Sequence, residues 1–174
     1  ESYGELRRHL EMMAETQKTL QGETRNLVQA LRRPEVRGRW GELTLRRLVE
    51  LAGMVEHCDF VEQAHTEIEG GSLRPDMVVH MPGGRDVVVD VKTPLDSYLS
   101  AVEASDEATR KSHLANHTAN VRKRINELAA KSYWQQFEDS PDFVVLFIPG
   151  DQFLAAALDD DHDLLEEALS KKVI

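Results

Sequence analysis

Arg74-Pro75-Asp76-Met77-Val78-Val79-His80-Met81-Pro82-Gly83-Gly84-Arg85-Asp86-Val87-Val88-Val89-Asp90-Val91-Lys92 is the stretch on which the reading of the fold turns. Two valine-rich runs flank Pro82-Gly83-Gly84, so residues 77–81 and 86–91 read as the strands of a hairpin. Asp76, Asp90 and Lys92 stand at its open end, and charges among buried β-branched residues are costly unless they pair or meet a metal ion. Parity makes the arrangement testable. If the loop centres on Gly83, residues equidistant from it face each other, which sets Asp76 opposite Asp90. Opposed residues share a sheet face with Cβ atoms roughly 4.5–5.5 Å apart, and Lys92, two positions beyond Asp90, shares it too. A two-residue Gly83-Gly84 turn puts the two carboxylates on opposite faces instead.

Two carboxylates that close repel, and one takes a proton unless a cation bridges them. Mg²⁺ (or Mn²⁺) suits such a pair, because it takes oxygen ligands, often only one or two carboxylates, and keeps waters. Bound there, it would polarise a phosphoryl oxygen and acidify a water. Lys92 would position that water, stabilise the pentacovalent phosphate, or both; alternatively it ties the carboxylates into a structural network. Metal-dependent phosphodiester hydrolysis is the chemistry these residue types suggest.

Outward from the hairpin, residues 59–68 read as a further strand, and residues 39–52 as a helix stopped by Gly53. Trp40, Leu43, Leu45, Leu48, Val49 and Leu51 predict burial around most of that helix. Residues 95–137 read as one long helix with Leu114, Val121, Ile125 and Leu128 on its apolar side. Residues 142–148 read as a buried strand between Pro141 and Pro149, followed by short helices over 152–158 and 164–169. Val173-Ile174 suggests the start of another strand. The order helix, strands, helix, strand, helix implies an α/β architecture with a mixed β-sheet flanked by helices.

Upstream, Leu6, Leu10, Met13, Gln17, Leu20, Thr24, Leu27 and Leu31 recur at alternating steps of four and three. That is the seam of a coiled coil, with a homo-oligomer as its consequence, or else an amphipathic helix folded back on its own domain. Pro34 ends this segment. The expected organisation is a helical segment over residues 1–33 and a domain over residues 34–174.

At 174 residues and 41% hydrophobic content the chain can bury one core. No run of about 18 apolar residues predicts a membrane span, so no membrane contact is expected from this stretch itself. Glu1-Ser2-Tyr3 is neither a signal peptide nor a natural start, and the chain reads as a piece of a longer one. Cys58 alone excludes an internal disulfide and any cysteine-rich zinc site, which fits a reducing, cytoplasmic setting. The net charge of −10 is uneven: ten acidic residues lie from Glu138 onward against Lys171 and Lys172. Arg25, Arg32, Arg33, Arg37, Arg39, Arg46 and Arg47 form a basic stretch that permits a DNA partner.

Pro75-Asp76 followed by Asp90-Val91-Lys92 matches the PD-(D/E)XK nuclease signature. A longer motif, Ala30-Leu31-Arg32-Arg33-Pro34-Glu35-Val36-Arg37-Gly38-Arg39-Trp40-Gly41-Glu42, adds specificity. Together with Met81-Pro82-Gly83-Gly84-Arg85, Thr93-Pro94-Leu95, Lys131-Ser132-Tyr133-Trp134 and Phe147-Ile148-Pro149-Gly150, it resembles the DNA recombination protein RmuC family over about residues 27–174. The resemblance implies a restriction-endonuclease-like core, a role in DNA recombination or rearrangement, an upstream coiled coil and an N-terminal membrane anchor. It also implies that the domain continues past the last strand seen here. Carried over residue by residue, Asp76 and Asp90 become metal ligands, the Val91 carbonyl a further ligand, and Lys92 the catalytic lysine. Glu42 matches the carboxylate that such nucleases place on their first core helix; otherwise it pairs with Arg46.

Arg37 and Arg39, with Arg33, would clamp DNA phosphate, or cap the sheet through internal carboxylates. Arg122-Lys123-Arg124 and Lys131 would extend a DNA-contacting face, or simply be solvated. Trp40 reads as core, and Tyr133 and Trp134 as anchors of the long helix. His113 and His117 read as solvated helix surface, and Asp159 to Asp163 as an acidic loop without calcium-loop spacing. The alternative to a nuclease is a non-catalytic DNA-binding or coiled-coil scaffold module that keeps the fold.

Overall fold

The computed structural model of the protein describes residues 12, 13, 26, 28–56, 58–62, 75–131 and 141–174. The chain divides into two compact units, Glu1–Arg37 and Gly38–Ile174. Apart from Met13 and Leu31, the heptad positions lie outside the described residues, as do Tyr133 and Trp134. Among the described residues no helix is long and apolar enough to cross a membrane.

Helix α1 spans Pro34–Leu51. The expected start near Arg39 is corrected, because Pro34 itself opens the helix, where its missing N–H costs nothing and its φ is already helical. Gly53 ends it as expected: its φ is +84°, and Met54 N–H donates back to the Val49 carbonyl at 3.1 Å. The expected burial around most of this helix is also corrected. α1 buries one stripe, Gly41, Leu45 and Val49, while Leu43, Leu48 and Leu51 are exposed.

Strands β1 (Phe60–Glu62), β2 (Met77–Met81), β3 (Arg85–Val91) and β4 (Val145–Phe147) form one sheet in that order. The first two pairings are antiparallel and β3–β4 is parallel. The β2–β3 register pairs Met77 with Val89, Val79 with Val87 and Met81 with Arg85. The loop is therefore the odd one, Pro82-Gly83-Gly84, centred on Gly83. Gly83 and Gly84 sit at φ +95° and +78°, a region that side chains disfavour, so these two glycines set the parity.

Among the described residues four helices follow: α2 (Asp96–Glu103), α3 (Glu107–Lys131), α4 (Asp151–Asp160) and α5 (Leu164–Ser170). The single long helix expected from residue 95 is thus two. Ala104 is extended, and the Asp106 carboxylate accepts the Thr109 N–H at 2.8 Å, starting α3 afresh. Val173 bridges Val144 in parallel, and Leu146 N–H donates to the Ile174 carbonyl at 2.7 Å, so the last residues do begin to extend the sheet.

The strands alternate between two cores. Val78 and Val88 pack with Val121, Ile125 and Leu128 of α3, Ala157 of α4 and Leu164 of α5. Met77, Val79, Val89 and Val91 pack with Leu45 and Val49 of α1. Even-numbered hairpin residues therefore face α3 and odd-numbered ones face α1, as period-two alternation requires.

His117 departs most from its expected place. It is fully buried, Nδ1 lying 3.0 Å from the Pro94 carbonyl and Nε2 2.7 Å from the Phe153 carbonyl. Those contacts tie the loop after Lys92 to α4. A neutral imidazole donates to only one of these carbonyls, so His117→Leu removes one buried hydrogen bond and is expected to cost about 1–3 kcal/mol in urea denaturation. An unchanged midpoint would show that the imidazole does not carry these contacts.

Candidate active site

The hairpin register sets Asp76 and Asp90 at the same end of β2 and β3. Asp76 lies just before β2, and its Oδ2 accepts the Val91 N–H at 2.6 Å. The side chain thereby satisfies a peptide group where the β2–β3 ladder ends. Asp90 is 2% exposed and faces α3. Lys92 Nζ donates to Asp90 Oδ2 and approaches the Val91 carbonyl at 3.3 Å. Lys131 Nζ, from the last turn of α3, donates to Asp90 Oδ1 at 3.1 Å. A buried carboxylate thus carries an ammonium on each oxygen.

Asp76 also lines a cavity of about 150 Å³ together with Arg39, Glu42 and Arg46 of α1, Glu62 of β1, and Val91. Asp90 and Lys92 are not among the lining residues. Glu42 makes no ion pair or side-chain hydrogen bond among the described residues. The alternative pairing of Glu42 with Arg46 is not formed, because the Arg46 guanidinium goes to Glu50, Glu56 and Glu62 at 3.1, 2.8 and 2.8 Å. Glu62 is the cavity carboxylate that sequence reasoning missed; no motif marks it.

Burial pushes the Asp76 carboxyl above the usual carboxylate range. The Val91 N–H opposes that shift, the nearby Asp90 charge adds to it, and Lys92 and Lys131 pull against it. The folded chain therefore holds a proton on Asp76 more readily than the unfolded chain does. This contribution to stability is full below the ordinary carboxylate pKa and is lost as pH rises through the raised one. Asp76→Asn, which keeps an oxygen for the Val91 N–H, is expected to raise Tm at neutral pH. The gap to wild type should close as the solution is acidified through the carboxylate range. A Tm difference constant with pH would remove ionisation as its cause.

The donors fit a hard divalent cation in type. Asp76 has one oxygen beyond its bond to Val91, Glu42 faces the same cavity, and Mg²⁺ needs only one or two carboxylates besides water. Among the described residues no three carboxylate, imidazole or thiol groups stand close enough to hold one ion. Asp90 contributes only if an ammonium leaves it.

The residues expected at DNA divide. Arg39 reaches the cavity. Arg33 and Arg37 belong to the other compact unit. Arg122 is engaged on α3 by Glu167 at 2.8 Å and by Asp161. Trp40 packs edge-on against Phe153, with ring centroids 6.4 Å apart.

The family model described as "RmuC family" matches residues 1–174. A "DNA recombination protein RmuC homolog" of Zymomonas mobilis subsp. mobilis is 42% identical over 173 residues, covering 99% of this chain and 39% of that protein. The homolog of the same name in Chlamydia pneumoniae is 35% identical over 175 residues, 100% of this chain and 40% of its own. "DNA recombination protein RmuC" of Escherichia coli K12 is 37% identical over 153 residues, 86% of this chain and 32% of that protein. The chain spans about two fifths of the length of the first two relatives and a third of the last. No solved structure matches the chain.

Proposed function

From the premise that the chain belongs to the RmuC family, we propose that its α/β domain is a metal-dependent deoxyribonuclease that acts in DNA recombination. The observation that carries the reading is the hairpin register, which gathers Asp76, Asp90 and Lys92 at one end of the sheet. An antiparallel hairpin followed by helices and a parallel strand also supports a restriction-endonuclease-like core.

In this reading Asp76 and Glu42 hold the ion, with Asp90 and the Val91 carbonyl beside them. When bound, Mg²⁺ or Mn²⁺ supplies Lewis acidity at a phosphoryl oxygen and a water of lowered pKa. Lys92 brings positive charge to the site, anchored by the buried Asp90 so that it needs no reorganisation as negative charge develops. Arg39, in the same cavity, meets a phosphate with its planar fork.

The test combines calorimetric titration of Mg²⁺ and Mn²⁺ with cleavage of labelled linear, nicked and branched DNA. Cleavage is expected to require the metal and to fall to background in Lys92→Met. Absence of metal uptake, with DNA handling unchanged in Lys92→Met, would sink the nuclease reading. One observation favours a second reading, a non-catalytic DNA-binding module: both oxygens of Asp90 already accept from lysines. There Arg39→Ala weakens DNA binding while Lys92→Met leaves it untouched.

A further inference from the structure

The two lysines on Asp90 are not equivalent. Lys92 is two residues along the same strand, so the backbone itself holds its ammonium against the carboxylate. Lys131 reaches Asp90 from a separate element, across 41 positions of sequence, at 3.1 Å. Its side chain is also the more exposed, 34% against 27% for Lys92. Asp90 itself is 2% exposed, so both its oxygens must be satisfied in every state of the site. It can offer an oxygen to a cation only by giving up an ammonium, and Lys131 is the one whose release disturbs no strand.

We propose that Lys131 is a built-in competitor for the metal position, a positioning residue that satisfies Asp90 Oδ1 in the metal-free protein and leaves it when a divalent cation binds. The inference rests on the metal-dependent reading above and adds to it a residue that regulates occupancy. With Lys131 in place, Asp90 is outweighed by the two ammonium groups on its oxygens, which oppose the approach of a divalent cation. Metal affinity is thereby set below what the carboxylates alone would give. Exchange of one cation for another keeps the buried carboxylate paired throughout.

The experiment is calorimetric titration of Mn²⁺ and Mg²⁺ at one fixed pH into wild type, Lys131→Met and Lys131→Arg. Lys131→Met removes the competing charge at similar length and is expected to bind metal about tenfold more tightly; Lys131→Arg, which keeps the charge, stays near wild type. A merely structural lysine would weaken binding when removed. The same exchange is read without any variant by acetic anhydride labelling and mass spectrometry. Mg²⁺ should raise Lys131 modification about threefold or more, as its ammonium leaves a charge-assisted bond for solvent, and leave Lys92 unchanged. Metal binding in wild type with equal or weaker binding in Lys131→Met, or with Lys131 labelling unchanged, overturns this inference and leaves the nuclease reading standing. Absence of metal binding in wild type and both variants overturns the two together.

Discussion

Asp90→Ala is expected to destabilise the domain by about 3–5 kcal/mol, the usual cost of removing one partner from a buried ion pair. The carboxylate is 2% exposed and pairs with both Lys92 and Lys131. Without it, two half-buried ammonium groups face each other across a vacated site. A loss of that size is a large part of a typical folding free energy of about 5–15 kcal/mol. Urea denaturation followed by far-UV circular dichroism measures it. The informative companion is the triple variant Asp90→Leu, Lys92→Met, Lys131→Met, which removes Asp90 together with both lysines on its oxygens. Replacing a buried ion pair or triad by apolar side chains is commonly neutral or stabilising, so the triple variant should recover most of the loss. If Asp90→Ala unfolds at the wild-type midpoint, the carboxylate does not hold the two lysines in solution. If the triple variant is as unstable as the single one, the charge argument fails and packing at residue 90 is the cause.

Gly41→Ala is the second large effect. In an unobstructed helix interior, glycine to alanine stabilises by about 1 kcal/mol. At position 41 a Cβ would stand 2.6 Å from Val91 Cγ1 and 2.9 Å from Thr93 Cγ2. Both neighbours are β-branched and have few rotamers to move into. Relief must come from α1 lifting off the sheet, a kind of overpacking that costs about 1–3 kcal/mol. Val91 and Thr93 flank Lys92, so the shift also moves Glu42 and Arg39 relative to Asp76. Gly38→Ala is the matched control, because nothing lies within 4 Å of its Cβ position, and it should be neutral or slightly stabilising. Denaturation midpoints for the pair decide the matter: Gly41→Ala below wild type, Gly38→Ala at or above it. Equal midpoints would mean that α1 does not need this close approach.

Local chemistry made part of this molecule readable in advance. The Pro82-Gly83-Gly84 loop admits positive φ at two adjacent positions, and valine alternation fixes which side chains share a face. The helix over 107–131 was recognisable from its period, yet its true start was missed although Ser105-Asp106-Glu107 carries an N-cap signal. His117 was also readable in principle, because it stands four and eight residues before Val121 and Ile125, on the same buried stripe. Its lone polar ring drew the opposite reading. The exposure of Leu43, Leu48 and Leu51 had no such signal, since an apolar residue does not reveal how much sheet lies opposite it.

The sequence by itself determined the hairpin, the glycines of its loop, and the candidates Asp76, Asp90 and Lys92 at its open end; the odd register was one of two parities it allowed, and the structure chose it. Those features depend on torsions and on side-chain alternation over a few neighbouring residues. Only the tertiary structure decided that Asp90 carries a second ammonium from Lys131, that Arg46 is taken up by Glu50, Glu56 and Glu62, and that Glu42 and Glu62 share the cavity of Asp76. Those pairings depend on how α1 and α3 pack against opposite faces of the sheet. Packing is set by the summed burial of two cores, and no spacing within any one segment encodes it.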